Sequence, residues 1–101
     1  MLRTLFGTGP KTDLKEVLAK GAVILDVRTK AEYAEGHVKG SLNIPLDQVE
    51  EQLKKLDRTR PVITCCKSGA RSGMATDILK RAGVEAYNGG SWQSVHRLMA
   101  Q

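Results

Sequence analysis

A chain of 101 residues, 41% hydrophobic and 27% charged, accommodates one globular domain around a single core. Its net charge of +5 is spread along the chain, and one Trp, two Tyr and one Phe make no stacking platform for bases, so a solvated basic surface is expected and no nucleic-acid partner. No apolar run approaches the ~20 residues of a membrane span, so no membrane partner is expected either.

Residues 1–11, ending in Gly7-Thr8-Gly9-Pro10, read as a leader segment, and residues 12–101 as a single domain. The leader has neither a sustained apolar region nor a small-residue cleavage site, which points to a cytoplasmic protein. Thr12 or Asp13 caps a first helix running to Lys20, with Leu14, Val17 and Leu18 on one face and Gly21 as its stop. Ala22 to Val27 is an apolar run interrupted near its end by Asp26, the pattern of a buried parallel strand. Thr29 starts a short helix from Lys30 to Glu35, stopped by Gly36. Ser41 to Ile44 forms a second strand, ended by Pro45. Leu46, Val49, Leu53 and Leu56 recur at helical spacing, predicting a helix over 46–56.

Pro61 to Cys65 is the third strand. A helix follows over 71–82, with Met74, Ala75, Ile78 and Leu79 facing inward and Gly83 as its stop. Val84 to Tyr87 is a fourth strand. Asn88-Gly89-Gly90-Ser91 reads as a turn, and a helix from Trp92 to Ala100 closes the chain. Alternation of strands and helices implies an α/β fold: a mostly parallel central sheet of four to five strands with helices on both faces.

Cys66-Lys67-Ser68-Gly69-Ala70-Arg71-Ser72-Gly73 carries the chemistry. A cysteine at a strand end, followed by a small-residue loop and a helix start, meets backbone N–H groups and the positive end of the helix dipole. A free thiol titrates at about 8.5, and this setting lowers that value. In parallel sheets ligands sit beyond the carboxyl ends of the strands, where Cys66, Asp26, Arg28 and the Asn88–Ser91 segment all fall. Cys65, pointing to the opposite strand face, reads as core. A bridge between the two neighbouring cysteines would strain the intervening peptide. With no closely spaced histidines and no acidic loop cluster, no metal site is expected.

Three blocks make the chain resemble the rhodanese family, in particular its small single-domain sulfurtransferases. They are Leu25-Asp26-Val27-Arg28 with Glu32-Tyr33 and the stretch Gly36 to Pro45; Cys66 to Ser72; and Gly89-Gly90-Ser91-Trp92. The resemblance covers roughly residues 12–100 and implies the rhodanese-like fold. It also implies that Cys66 accepts a sulfane sulfur from thiosulfate or a persulfide donor and passes it to cyanide, a thiol or a protein acceptor. No cofactor is implied. Four residues separate Cys66 from Arg71, one fewer than in the related cysteine phosphatases, and this shorter loop favours sulfur over phosphoryl transfer.

In this reading Cys66 is catalytic, and Lys67, Ser68, Gly69, Ala70, Arg71 and Ser72 bind the substrate through loop amides and basic side chains. Lys67 and Arg71 are either surface charges or an electrostatic collar for the thiolate and the anionic donor. Ser68 donates its hydroxyl to the sulfur or caps the turn. Gly69 supplies a positive φ, and Ser72 caps or starts the helix. Asp26 and Arg28 support the loop from behind, unless Arg28 lines the mouth instead. His37 is expected to be structural, His96 a surface residue and Trp92 an anchor at the core or rim. The competing reading is a non-turnover binding or regulatory module of the same fold, or a sulfur carrier for a protein partner.

Overall fold

The protein is described over residues 13–100 by a computed structural model. The leader expected over 1–11 and the alternative cap Thr12 lie outside the described residues. In chain order the elements are α1 (Leu14–Ala19), β1 (Val23–Asp26), α2 (Lys30–Glu35), β2 (Leu42–Asn43), 3-10 turns at Leu46–Gln48 and Leu53–Lys55, β3 (Val62–Cys66), α3 (Ala70–Arg81), β4 (Ala86–Ser91) and α4 (Trp92–Met99). The strands form one sheet in the order β2-β1-β3-β4, and every pair is parallel. The α/β expectation therefore holds, with four strands. Among the described residues no helix is long and apolar enough to cross a membrane.

Because a strand sends successive side chains to opposite faces, β3 feeds two cores. Val62 and Cys66 join Leu25, Val49, Ala75 and Leu79 beneath α3 and the 3-10 turns. Ile63 and Cys65 join Val17, Ile24 and Val95 beneath α1 and α4. Helices α1 and α2 have six residues each, too short to persist alone. Burial of an aliphatic side chain contributes about 1.5–3 kcal/mol, so packing onto the sheet stabilises the elements more than helix propensity does.

Local signals still set the ends. Asp13 caps α1 by accepting from the Lys15 amide at 3.0 Å. Thr29 and Glu32 form a reciprocal capping box that starts α2.

Three local expectations are corrected. Residues 46–56 do not form a continuous helix. Gln48, Val49, Lys55 and Leu56 donate three residues back, to Pro45, Leu46, Gln52 and Leu53, the tighter 3-10 pattern. Val49 and Leu56 are nonetheless buried, so the apolar spacing identified the inward side chains but not the winding.

Met74 is 58% exposed. The hidden stripe of α3 is Ser72, Ala75, Thr76 and Leu79, and the two buried hydroxyl residues shift it away from the purely apolar pattern. The third correction concerns β4, which begins at Ala86 and continues through Ser91. The segment read as a turn pairs with β3 through an irregularity: Thr64 aligns with Asn88 but Cys66 with Ser91. This extra residue is a bulge, and it brings β4 alongside the cysteine loop. Gly89 is obligatory there, because a Cβ would lie 2.7 Å from the Thr64 carbonyl and 2.7 Å from a Val95 methyl.

Candidate active site

Strand β1 has β2 on one side and β3 on the other, so the chain direction across the sheet switches between β1 and β3. Open α/β sheets bind ligands at such a point, beyond the carboxyl ends. Asp26 ends β1 and Cys66 ends β3 there.

Cys66 Sγ accepts from the Gly69 amide at 3.0 Å and the Ser72 amide at 3.4 Å, and the Ser72 hydroxyl lies 3.4 Å away. Gly69 makes this turn with φ 102°, a left-handed conformation that a Cβ would oppose, and serves as the N-cap of α3. Ser72 therefore does not cap the helix; it sits in the first turn with its side chain directed at the sulfur. Ser68 contributes through its amide, and its exposed hydroxyl makes no bond to the sulfur among the described residues. The Ala70 and Arg71 amides, in the first helical turn, have no acceptor among the described residues.

Burial pushes the Cys66 thiol up, but the hydrogen bonds from Ser72, Gly69 and Ser68 outweigh it and leave the group below its ordinary value of 9.0. Cys65 goes the other way. Burial, reinforced by the charge of Asp26, pushes it up to about 12. Both cysteines are free.

Behind the loop, Asp26 is 0% exposed and Arg28 5%. The Asp26 carboxylate accepts from Arg28 Nε at 2.9 Å, Nη2 at 2.7 Å and the Arg28 amide at 3.0 Å. Arg28 continues outward, donating to the carbonyls of Gly36 at 2.7 Å and Glu32 at 3.2 Å, with its guanidinium 5.1 Å from the centre of the Trp92 ring. Asp26 thus orients Arg28, and Arg28 ties the end of α2 to the start of α4. Their hydrogen bond to each other keeps Arg28 protonated.

Arg71 is half-buried and pairs through both terminal nitrogens with the two Glu32 oxygens, at 2.7 and 3.0 Å. This bidentate pair, with the Thr29 amide, lowers Glu32 to about 2. The guanidinium of Arg71 is therefore a clamp between α2 and α3. Lys67 is exposed and lines a cavity of ≈ 330 Å³ beside the loop, together with Arg28, Glu35, Gly36, Trp92 and Gln93. His37 stacks on Tyr33 with ring centroids 3.7 Å apart and contacts the Tyr33 carbonyl through Nδ1 at 2.7 Å, a local structural role. His96 is exposed on α4.

Sequence reasoning gave no role to the side chains of Glu32, Thr64 or Thr76, and placed Asn88 at the site only as part of the Asn88–Ser91 segment. Thr64 and Thr76, hydroxyls 2.8 Å apart and hydrogen-bonded to each other, both lie within 3.0 Å of the Ser72 carbonyl in the core, and one of them donates to it. Asn88 binds the loop from β4: its Nδ2 donates to the Gly69 carbonyl at 3.0 Å. Two threonines among apolar neighbours are the one signal that was available, since buried hydroxyls need partners.

The fold and the amide-ringed sulfur define a parallel α/β domain that surrounds one strand-end cysteine with hydrogen-bond donors. Residues 10–96 match the rhodanese-like domain, and the chain belongs to that family. It is 38% identical over 61 residues to the thiosulfate sulfurtransferase PspE of Escherichia coli, covering 58% of this chain and 59% of that protein. It is 37% identical over 68 residues to the protein YqhL of Bacillus subtilis, covering 66% of this chain and 54% of the relative. The chain thus spans little more than half the length of these curated relatives. Among solved structures, a rhodanese with anions from E. coli superposes with a TM-score of 0.68 at 33% identity, covering 72% of this chain and 89% of that one. Sulfur transfer in general is the chemistry this kinship supports.

Proposed function

We propose that the protein is a thiosulfate sulfurtransferase working through a persulfide on Cys66. The Cys66 thiolate attacks the outer sulfur of thiosulfate, forming a Cys66 S–S bond and releasing sulfite as the old S–S bond breaks. A thiolate or cyanide then attacks the outer sulfur, and Cys66 leaves as a thiolate. No redox partner is needed, and the two half-reactions give ping-pong kinetics. A persulfide donor enters by the same exchange. The cytoplasm, a reducing compartment, keeps the thiol available.

The observation carrying this reading is the sulfur's set of main-chain donors, with the Ala70 and Arg71 amides left over to hold an added outer sulfur and its charge. The loop has four residues between Cys66 and Arg71, one fewer than in the related cysteine phosphatases, which suits a single added sulfur more than a wider phosphoryl group. The Arg71 guanidinium, bound by Glu32, is not free to grip such a group. Lys67 beside the mouth supplies attraction for an anionic donor.

Intact-mass measurement after incubation with thiosulfate is expected to show a gain of one sulfur, mapped to Cys66 and removed by cyanide with release of thiocyanate. Absence of that gain with thiosulfate and with a persulfide donor overturns the proposal. Loading without turnover to any thiol or to cyanide identifies the non-turnover carrier or binding module instead.

A further inference from the structure

Ser72 has one hydroxyl proton and two neighbours that can take it. Asn88 Oδ1 lies 2.7 Å from the Ser72 hydroxyl, and Cys66 Sγ lies 3.4 Å from it. The orientation of the Asn88 amide is determined by its other partners. Nδ2 donates to the Gly69 carbonyl at 3.0 Å, and Oδ1 accepts from the Gly90 amide at 2.9 Å. A carbonyl only accepts and a backbone N–H only donates, so Oδ1 must be the atom facing Ser72. Ser72 therefore donates to Asn88. With Cys66 protonated the chain is complete, the thiol donating to Ser72 and Ser72 to Asn88. With Cys66 ionised, the sulfur gains most if the Ser72 hydroxyl turns onto it and leaves Asn88 with the Gly90 amide alone.

We infer that Asn88 is a positioning residue that competes with the Cys66 thiolate for the Ser72 proton, and so sets the fraction of Cys66 that is ionised at a given pH. On ionisation the thiol proton leaves to solvent, while the Ser72 proton stays on its oxygen and only changes direction. The inference rests on Cys66 being the reactive thiol of the proposed function. The surrounding charges do not make this choice. Asp26 and Arg28 from β1 pair with each other, as do Arg71 of α3 and Glu32 of α2. Cys65, adjacent in β3, faces the other core, Lys67 is exposed, and the β4 segment from Asn88 to Ser91 carries no ionisable side chain.

The test is the pH dependence of iodoacetamide alkylation of the full chain, with adducts assigned to Cys66 by mass spectrometry. Asn88→Ala frees the Ser72 hydroxyl for the sulfur and is expected to lower the Cys66 midpoint by about one pH unit. Asn88→Asp keeps an acceptor for Ser72, strengthens it with charge, and is expected to raise the midpoint. In a Ser72→Ala background the downward shift from Asn88→Ala should vanish and the rise from Asn88→Asp should shrink. A residue that only held the loop in shape would produce shifts of the same size in both backgrounds, and that result overturns the inference. So does the absence of a downward shift for Asn88→Ala in the native background. Should Asn88→Ala fail to fold, Asn88→Asp decides alone: no rise, or an undiminished rise without Ser72, refutes the competition. Alkylation needs no sulfur donor, so failure of sulfur loading counts against the enzymatic reading and leaves this result standing.

Discussion

Cys65 points into the core beneath α1 and α4, while Cys66, the next residue, points beneath α3 and its preceding loop. Their exposures, 0% and 1%, are nearly the same. Burial alone therefore cannot explain why one thiol is pushed up to about 12 and the other held below its ordinary value. Deeper burial raises Cys65, and hydrogen-bond donors are what hold Cys66 down. Cys65 meets aliphatic side chains and the negative charge of Asp26, whereas Cys66 meets the main-chain N–H groups of Gly69, Ser72 and Ser68 and a hydroxyl. The strand's two-residue period turns a one-position step into opposite chemistry.

The largest break in this comparison is expected from exchanging the thiols themselves. Cys66→Ser should lower sulfur transfer by about a thousandfold or more, as loss of a nucleophile does. Cys65→Ala should leave transfer within about twofold, at a stability cost of roughly 1–2 kcal/mol for the lost packing. Steady-state thiocyanate formation and urea unfolding separate the two, and strong inactivation by Cys65→Ala alone would refute the division of roles.

Next in size is the buried ion pair at the end of β1. Asp26→Ala leaves Arg28 buried without its partner and is expected to cost about 3–5 kcal/mol in urea unfolding. A loss below about 1 kcal/mol would show that the pair does not anchor the strand ends.

Lys67→Glu tests the electrostatics of the Cys66 side alone. We expect roughly a tenfold fall in kcat/KM for thiosulfate at low salt, shrinking as salt is added, with Tm unchanged within about 2 °C. Equal kinetics for this variant would confine the anion's recognition to the backbone.

The smallest effect concerns alkaline stability. Cys65 stays protonated in the fold up to about 12 while the unfolded thiol ionises near 9.0. The unfolded state therefore holds fewer protons between those values, and Cys65 makes stability fall as pH rises through that window. Cys66, whose folded value is lowered, contributes in the opposite sense: its stabilisation is present above 9.0 and is lost as pH falls through its folded value. Cys65→Ala should flatten part of the fall in Tm above pH 9, and a curve parallel to that of the unaltered protein would contradict the assignment.

Much of this arrangement was legible in the chain. The near-continuous apolar strands, the glycine stops and the alternation of elements prescribe a parallel sheet with two covered faces. The end of β3 beside a helix start marks Cys66, because strand period, helix polarity and orphan amides are properties of a few consecutive residues. Tertiary structure alone decided the rest. Arg71 meets Glu32 across 39 positions and Ser72 meets Asn88 across 16, and no local pattern says which distant side chain a packed helix will bring within 3 Å. The β4 bulge looked like a turn because Gly89 serves close approach to β3, and Gly90 a positive φ of 85°, instead of chain reversal. What the sequence settled by itself was which cysteine stands at the junction of a strand end and a helix start; which protons surround its sulfur depended on how β4 and α3 pack, since hydrogen bonds between side chains exist only once the backbone has placed both partners.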